Sequence, residues 1–182
     1  MIISIVGLPG SGKSEVINYL QKKFSWPKVY FGDVTFDEMK RLGLEINEAN
    51  ERKTREGLRE KFGELHYAKE SIKKIDDIKK DTNILVESLY SWGEYKLFKE
   101  KFRDNLIIMA VYASPRVRYA RLKNRPVRPL TEQESQSRDY AQIENIDQAG
   151  PIAMADYTII NEKTMGELQK QIEGIIEIIN SK

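Results

Sequence analysis

The chain has 182 residues, of which 40% are apolar and 32% are charged, and 30 Lys and Arg nearly balance 28 Asp and Glu for a net charge of +2. This length fits a single domain over residues 1–182, and the charge balance gives no reason to expect nucleic acid or an acidic membrane as a partner. With no cysteine and one histidine, disulfides, thiolate zinc sites and cysteine nucleophiles are excluded, and a His-based triad is not expected.

Five apolar runs predict strands, and amphipathic segments between them predict helices. The predicted strands cover residues 2–6, 28–31, 84–86, 106–112 and 157–160, and the predicted helices cover 14–24, 36–42, 47–62, 64–80, 94–102, 115–123, 131–144 and 164–180. This alternation indicates an α/β fold with a parallel sheet covered on both faces. The first run leads into a glycine loop and has no basic residues before it, so it is interpreted as a strand and not as a signal peptide. We therefore expect a cytoplasmic protein, and no apolar run is long enough to cross a bilayer.

The loop after the first strand carries the clearest motif of the chain. Residues 7–14, with the sequence GLPGSGKS, match G-x-x-x-x-G-K-[ST] at every position. The glycines let several backbone N–H groups point at a phosphate, and the following helix adds its positive end. Lys13 can reach the β- and γ-phosphates of a nucleotide, and the Ser14 hydroxyl can bind Mg²⁺. The predicted nucleotide-binding residues of this loop are Gly7, Pro9, Gly10, Ser11, Gly12, Lys13 and Ser14.

A basic segment follows the fourth strand, with six Lys or Arg between positions 116 and 128. Arg118, Arg121 and Arg125 are spaced to share one helix face. Arginines bind phosphate oxygens in pairs of hydrogen bonds, so the pattern predicts a lid over about residues 121–138, in which Arg121 and Arg125 stabilise the γ-phosphate during transfer. A solvated helix face and a nucleic-acid patch are the alternatives.

Carboxylates at two strand ends predict the acceptor and metal side, because ligands bind at the carboxyl ends of parallel strands. Asp33 follows the second strand and is a candidate to receive an acceptor proton, with a turn or cap role as the alternative. Glu87 ends the third strand, where an acid would hold Mg²⁺ through water. The candidate acceptor-binding residues are Asp33, Arg59, Glu87, Tyr90, Arg128 and Arg138.

With these residues placed, the chain resembles the P-loop nucleoside monophosphate kinases, and most closely the archaeal adenylate-kinase-related and dephospho-CoA-kinase-like proteins. The resemblance rests on IVGLPGSGKSE at the start, GDV at 32–34, LREKFG at 58–63, ASPRVRYARLKNR at 113–125 and GPIAMADYTIIN at 150–161. It implies a three-layer fold with strand order 2-3-1-4-5, a helical acceptor-binding region over about 33–80, a lid, and ATP with Mg²⁺. It also implies that Asp156 and Asn161 lie near the nucleotide.

One stretch departs from these relatives, whose third strand usually ends in D-G-[IV]-R, whereas this chain has Glu87-Ser88-Leu89-Tyr90. The leading hypothesis is ATP-dependent phosphoryl transfer to a nucleotide-like small molecule. The altered motif motivates an alternative, a nucleotide-binding switch with weak ATPase activity, and the arginine cluster motivates a third, an RNA-associated ATPase that the near-neutral charge disfavours. A monomer or homodimer is expected, and the sequence does not choose between ATP and GTP.

Overall fold

The computed structural model describes residues 1–78, 81–126 and 129–181, and its centre is a five-stranded sheet. All strand pairings are parallel. The strands are β1 (Ile2–Val6), β2 (Lys28–Tyr30), β3 (Ile84–Glu87), β4 (Leu106–Tyr112) and β5 (Tyr157–Ile160), in the spatial order β2-β3-β1-β4-β5. The predicted fold class and strand order are therefore confirmed.

Nine α-helices of the described part of the chain cover and connect this sheet. They are α1 (Lys13–Phe24), α2 (Asp33–Arg41), α3 (Glu48–Phe62), α4 (His66–Asp76), α5 (Trp92–Phe102), α6 (Pro115–Asn124), α7 (Glu132–Ile146), α8 (Ala149–Ala153) and α9 (Met165–Asn180). Several boundaries differ from the sequence predictions, and α4, predicted over 64–80, spans His66–Asp76. Helix α2 begins at Asp33, three residues earlier than predicted, and α8 has no counterpart because its five residues are too few to show a helical repeat.

Alternation along β1 divides the core into two layers. Ile3 and Ile5 pack with apolar residues of α1 and α9 on one face of the sheet. Ile2 and Val6 pack on the other face, where α4 and α5 supply residues such as Phe98. Since both faces are covered, all five residues of the strand are buried, and its carboxyl end leads into the glycine loop at the edge of the sheet where ligands bind in such folds.

Local contacts fix the ends of several elements. Capping boxes begin two of the helices, with Thr131 and Glu134 at the start of α7 and Thr164 and Glu167 at the start of α9. At the edge of the sheet, the Gln171 side chain accepts a hydrogen bond from Ile160 N and donates one to Ile160 O, so it occupies backbone groups of an edge strand. Among the described residues, no helix combines the length and the apolar character needed to cross a bilayer.

Candidate functional site

The glycine loop at residues 7–12 is shaped by three glycines in the left-handed region. Gly7, Gly10 and Gly12 have φ angles of 146°, 78° and 101°. The surroundings also exclude side chains, because a Cβ would lie 2.4 Å from the Val111 carbonyl oxygen at Gly7 and 2.1 Å from Nδ2 of Asn161 at Gly12. The loop therefore has the compact backbone that phosphate binding requires, and its glycines cannot be replaced without movement.

Lys13 is folded back onto this loop. Its ammonium donates to the carbonyl oxygens of Gly7 at 2.7 Å and Leu8 at 3.2 Å. The next residue, Ser14, is exposed in the first turn of α1. The lysine is thus held by groups that it can exchange for nucleotide phosphates, and the serine hydroxyl is open to a ligand.

The electrostatic surroundings of Lys13 mark the centre of the site. Burial lowers the pKa of Lys13 from 10.5 to about 8, the negative charge of Glu87 raises it, and the positive charges of Arg138 and Arg118 lower it further. Burial disfavours the charged form of a lysine, and an incoming anion favours it. Bound phosphates would therefore restore the full positive charge of Lys13.

The oxygen donors near the loop fit a magnesium ion. Ser14 offers a hydroxyl and Glu87 a carboxylate, and Mg²⁺ prefers oxygen ligands and keeps several waters and phosphate oxygens. Glu87 pairs in the sheet with Ile5, two residues before the loop, and its Oε2 accepts a hydrogen bond from Lys28 at 2.7 Å. Lys28 thus already neutralises part of the charge of Glu87, which was predicted to hold Mg²⁺ through water.

Arg121 and Asn161 join α6 and the end of β5 to the loop. Nη2 of Arg121 donates to the Asn161 carbonyl at 2.9 Å, and Nδ2 of Asn161 donates to the Ser11 carbonyl at 2.8 Å. A pocket of about 520 Å³ opens beside these contacts. The residues that line it are Gly10, Gly12, Lys13, Ser14, Glu15, Arg121, Leu122, Arg125, Asn161, Lys163 and Met165.

Arg118, which its spacing places on one helix face with Arg121 and Arg125, is buried in the structure. Its side chain is 4% exposed and forms a two-pronged ion pair with Asp139 of α7, through Nη1 at 2.9 Å and Nη2 at 2.6 Å. It also donates to the carbonyls of Pro9 and Ala113, both at 3.1 Å. Arg118 therefore fastens α6 and α7 to the glycine loop, and it is not a mobile phosphate ligand.

Other basic residues of the predicted lid lie in different positions. Arg138 is exposed on α7, and its charge acts on both Lys13 and Tyr90. Arg125 ends α6 and lines the pocket beside the loop. Arg128, predicted to bind the acceptor, lies outside the described residues.

A second pocket, of about 130 Å³, is lined in part by Tyr90, whose ring centre lies 6.0 Å from Lys13 Nζ. Its lining residues are Tyr30, Phe31, Gly32, Thr35, Arg55, Arg59, Glu64, Tyr67, Ser88, Tyr90, Ser91, Glu94 and Ile146. The Arg59 guanidinium lies 5.4 Å from the centre of the Tyr67 ring, and its buried Nε forms an ion pair with Glu64 at 3.8 Å but has no hydrogen-bond partner in the described residues. Two arginines, several hydroxyl groups and aromatic walls therefore share this pocket.

Tyr90 forms the wall of this pocket nearest the glycine loop. Its hydroxyl accepts a hydrogen bond from Ser88 Oγ at 2.9 Å, and burial raises its pKa. Beneath it, the carboxylate of Glu94 accepts from the backbone N–H groups of Tyr90 and Ser91, and burial raises the pKa of Glu94. Asp33, by contrast, begins α2 and is not among the residues that line the pocket.

Two residues of the carboxyl-terminal third differ from what the sequence indicated. Asp156 accepts a hydrogen bond from Ile108 N, in the middle of β4, so it lies about 13 Å from the ligand-binding edge at Tyr112, four residues further along the strand. Its expected place near the nucleotide is wrong. Conversely, Gln148 donates to the Gly7 carbonyl at 3.0 Å, and no motif singled it out.

Comparisons with known proteins agree with this geometry. The AAA domain model matches residues 3–149. A UPF0200 protein of Thermococcus kodakarensis is 32% identical over 186 residues and covers 100% of both chains, and one of Methanocaldococcus jannaschii is 33% identical over 188 residues, covering 100% of this chain and 92% of its own. The chain belongs to the AAA domain family and to the UPF0200 proteins. The family match therefore agrees with the P-loop fold that the structure shows.

Solved structures support the fold independently of sequence. A shikimate kinase from Bacteroides thetaiotaomicron superposes with a TM-score of 0.62 over 99% of this chain and 98% of its own, at 12% identity. A gluconokinase from Sinorhizobium meliloti superposes with a TM-score of 0.59 over 98% and 94%, at 14% identity. At such low identity the likeness shows the P-loop kinase-like fold alone.

Proposed function

We propose that this protein transfers the γ-phosphoryl group of ATP to a nucleotide or nucleotide-like small molecule. The observation that carries the proposal is the position of Lys13 between two pockets. Lys13 lines the pocket beside the glycine loop, and its Nζ lies 6.0 Å from the ring centre of Tyr90, which lines the second pocket. Donor and acceptor would therefore meet at one cation, as phosphoryl transfer requires.

On the donor side, the proposed roles follow from charge and position. Lys13 exchanges its two loop carbonyls for the β- and γ-phosphates, and Arg121 and Arg125 border the same pocket. The positive charge of Arg138, predicted for the acceptor side, also acts on Lys13. Mg²⁺ held by Ser14, and by Glu87 through water, would neutralise phosphate charge when bound.

On the acceptor side, the second pocket fits a molecule with an anionic group and a planar or hydroxylated body. Arg59 and Arg55 line the pocket and supply the positive charge. The aromatic walls include Tyr67 and Tyr90. In the reaction, the bond from the γ-phosphorus to the bridging oxygen of ATP breaks, and a bond forms to an acceptor oxygen. Any proton on that oxygen is transferred, in our proposal, to Asp33, which does not line the pocket but follows the lining residue Gly32 in the chain.

The test is ADP formation across a panel of nucleoside monophosphates, dephospho-CoA and small hydroxy acids, with each product identified. Lys13→Met should abolish acceptor-dependent ADP formation, since the shared cation is lost. Arg59→Met should raise the KM of the active acceptor about tenfold with little change in the KM of ATP. Arg52→Met, which replaces an exposed arginine about two turns earlier on α3, is the matched control.

Two results would overturn the proposal. One is the absence of turnover above the Lys13→Met background with every acceptor. The other is ADP formation that does not depend on an acceptor, which would favour a nucleotide switch with weak ATPase activity.

A further inference from the structure

Gln148, in the turn between α7 and α8, is a buried amide with an unusual hydrogen-bond balance. Its side chain belongs to a residue that is 1% exposed, and Nε2 donates to the Gly7 carbonyl at 3.0 Å. Its Oε1 is buried and has no partner in the described residues. Buried polar side chains normally satisfy their hydrogen bonds, so a reason is needed for keeping glutamine here.

The reason lies in the second donor to the same carbonyl. The Gly7 oxygen also accepts from Lys13 Nζ at 2.7 Å, and Gly7 is buried. Lys13 donates as well to the Leu8 carbonyl, which in addition accepts from Ser11 N at 3.2 Å. When Lys13 turns to the phosphates, Leu8 keeps one donor, and Gly7 keeps one only through Gln148.

We propose that Gln148 is a positioning residue of the nucleotide site, whose amide holds the Gly7 carbonyl after Lys13 has released it to bind phosphate. The inference rests on the nucleotide binding contained in the proposed function, but not on phosphoryl transfer. Gln148 acts through the backbone of the glycine loop and need not touch the nucleotide.

The turn around Gln148 is built to keep its amide in place. Gln148 N donates to the Gln142 carbonyl and Gly150 N to the Asp147 carbonyl, both at 3.1 Å. Gly150 packs against Trp92 so closely that a Cβ there would lie 2.7 Å from the indole ring. Because the turn is held on two sides, the amide stays in position when the flexible Lys13 side chain moves.

A substitution of Gln148 should therefore affect the ligand-free protein and the nucleotide complex differently. With methionine at 148, the Gly7 carbonyl of the ligand-free protein still has Lys13, and the unpartnered Oε1 is gone, so stability should change little. In the nucleotide complex the same buried carbonyl would have no donor. Leaving a buried acceptor unpaired is costly, and we expect about tenfold weaker ATP binding, which converts to about 1.4 kcal/mol.

The experiment measures the Kd of ATP by calorimetry without any acceptor, and the thermal unfolding of the ligand-free protein, for wild type and Gln148→Met. Gln142→Met is the matched control, since Gln142 also has a buried, unpartnered Oε1 and lies on α7 but does not contact the loop through its side chain. We expect a tenfold higher Kd for Gln148→Met alone, with Tm within about 2 °C of wild type for both variants. Unchanged ATP binding in Gln148→Met, or a large loss of Tm, would overturn the inference.

A double variant tests the shared carbonyl without nucleotide. Lys13→Met and Gln148→Met each leave the Gly7 carbonyl one donor, whereas the double variant leaves it none. The Tm of the double variant should therefore lie about 5 °C below the value expected if the two single effects were additive. Additive changes in Tm would contradict the inference that Lys13 and Gln148 share the Gly7 carbonyl. The outcomes also separate the two proposals. Wild type that binds ATP but transfers no phosphoryl group refutes only the proposed function, and wild type that binds no ATP refutes both.

Discussion

The buried ion pair between Arg118 and Asp139 yields a sharp prediction for the substitution Asp139→Asn. The two side chains are 4% and 5% exposed. Asp139 accepts both guanidinium bonds and a third from the Tyr119 hydroxyl at 2.9 Å. Asparagine keeps the shape and one acceptor oxygen but removes the negative charge. The Arg118 charge would then stay buried with only neutral carbonyls as partners.

The magnitude follows from this burial. Breaking a buried ion pair by removing one partner typically lowers the free energy of unfolding by about 3–5 kcal/mol. Because asparagine keeps one acceptor oxygen, we expect Asp139→Asn to cost about 3 kcal/mol. For a chain of 182 residues, each kcal/mol shifts Tm by about 2–4 °C, so we expect Tm to fall by about 6–12 °C. ATP binding should weaken as well, because Arg118 also holds the Pro9 carbonyl of the glycine loop.

Thermal unfolding by calorimetry measures the change. Glu144→Gln, which removes an exposed acid from the same helix, should shift Tm by no more than about 1–2 °C. The double variant Arg118→Met/Asp139→Leu should recover most of the loss, since no uncompensated charge remains buried. A fall of less than 2 °C for Asp139→Asn, or a double variant no more stable than the single one, would refute the reasoning.

Two further predictions concern Lys13 and Ser88. Because the folded pKa of Lys13 is lowered to about 8 from 10.5, the unfolded chain binds more protons between these values, so ligand-free stability should rise with pH across that window, by about 3 kcal/mol at most. Urea unfolding at pH 7.5 and 9.5 should show this rise in wild type but not in Lys13→Met, and an equal rise in both would contradict it. Ser88 has a left-handed φ of 75°, so Ser88→Gly should have a Tm about 2–4 °C above Ser88→Ala. Both variants lose the hydroxyl bond to Tyr90, and equal Tm values would mean that the backbone is not strained.

Much of the fold could be predicted because local patterns carry it. The run at Ile2–Val6 is apolar on both faces, and the glycine motif after it needs a strand before and a helix after, so the central unit followed from adjacent residues. Glycines 7, 10 and 12 were predicted for their backbone freedom, and all three have φ angles that favour glycine. The resemblance also expects a glycine at 88, where this chain keeps the left-handed backbone with a serine.

Side chains that act over long sequence separations were not predictable in the same way. Arg118 has the spacing of a residue on the same helix face as Arg121 and Arg125, and its partner Asp139 lies 21 positions away on another helix. Gln148 reaches Gly7 across 141 positions, and Lys28 reaches Glu87 across 59. Nothing in the local sequence marks these pairs, because each depends on where two separate elements pack.

The sequence by itself determined the parallel α/β sheet, the glycine loop after its first strand and the helix that follows the loop, since these depend on periodicity and on backbone requirements of neighbouring residues. Only the tertiary structure decided which charges are free to act. It buried Arg118 against Asp139, placed Asp156 away from the ligand edge, and set Lys13 between two pockets. The physical reason is that burial and pairing determine the effect of a charge, and both depend on packing between elements that are distant in the chain.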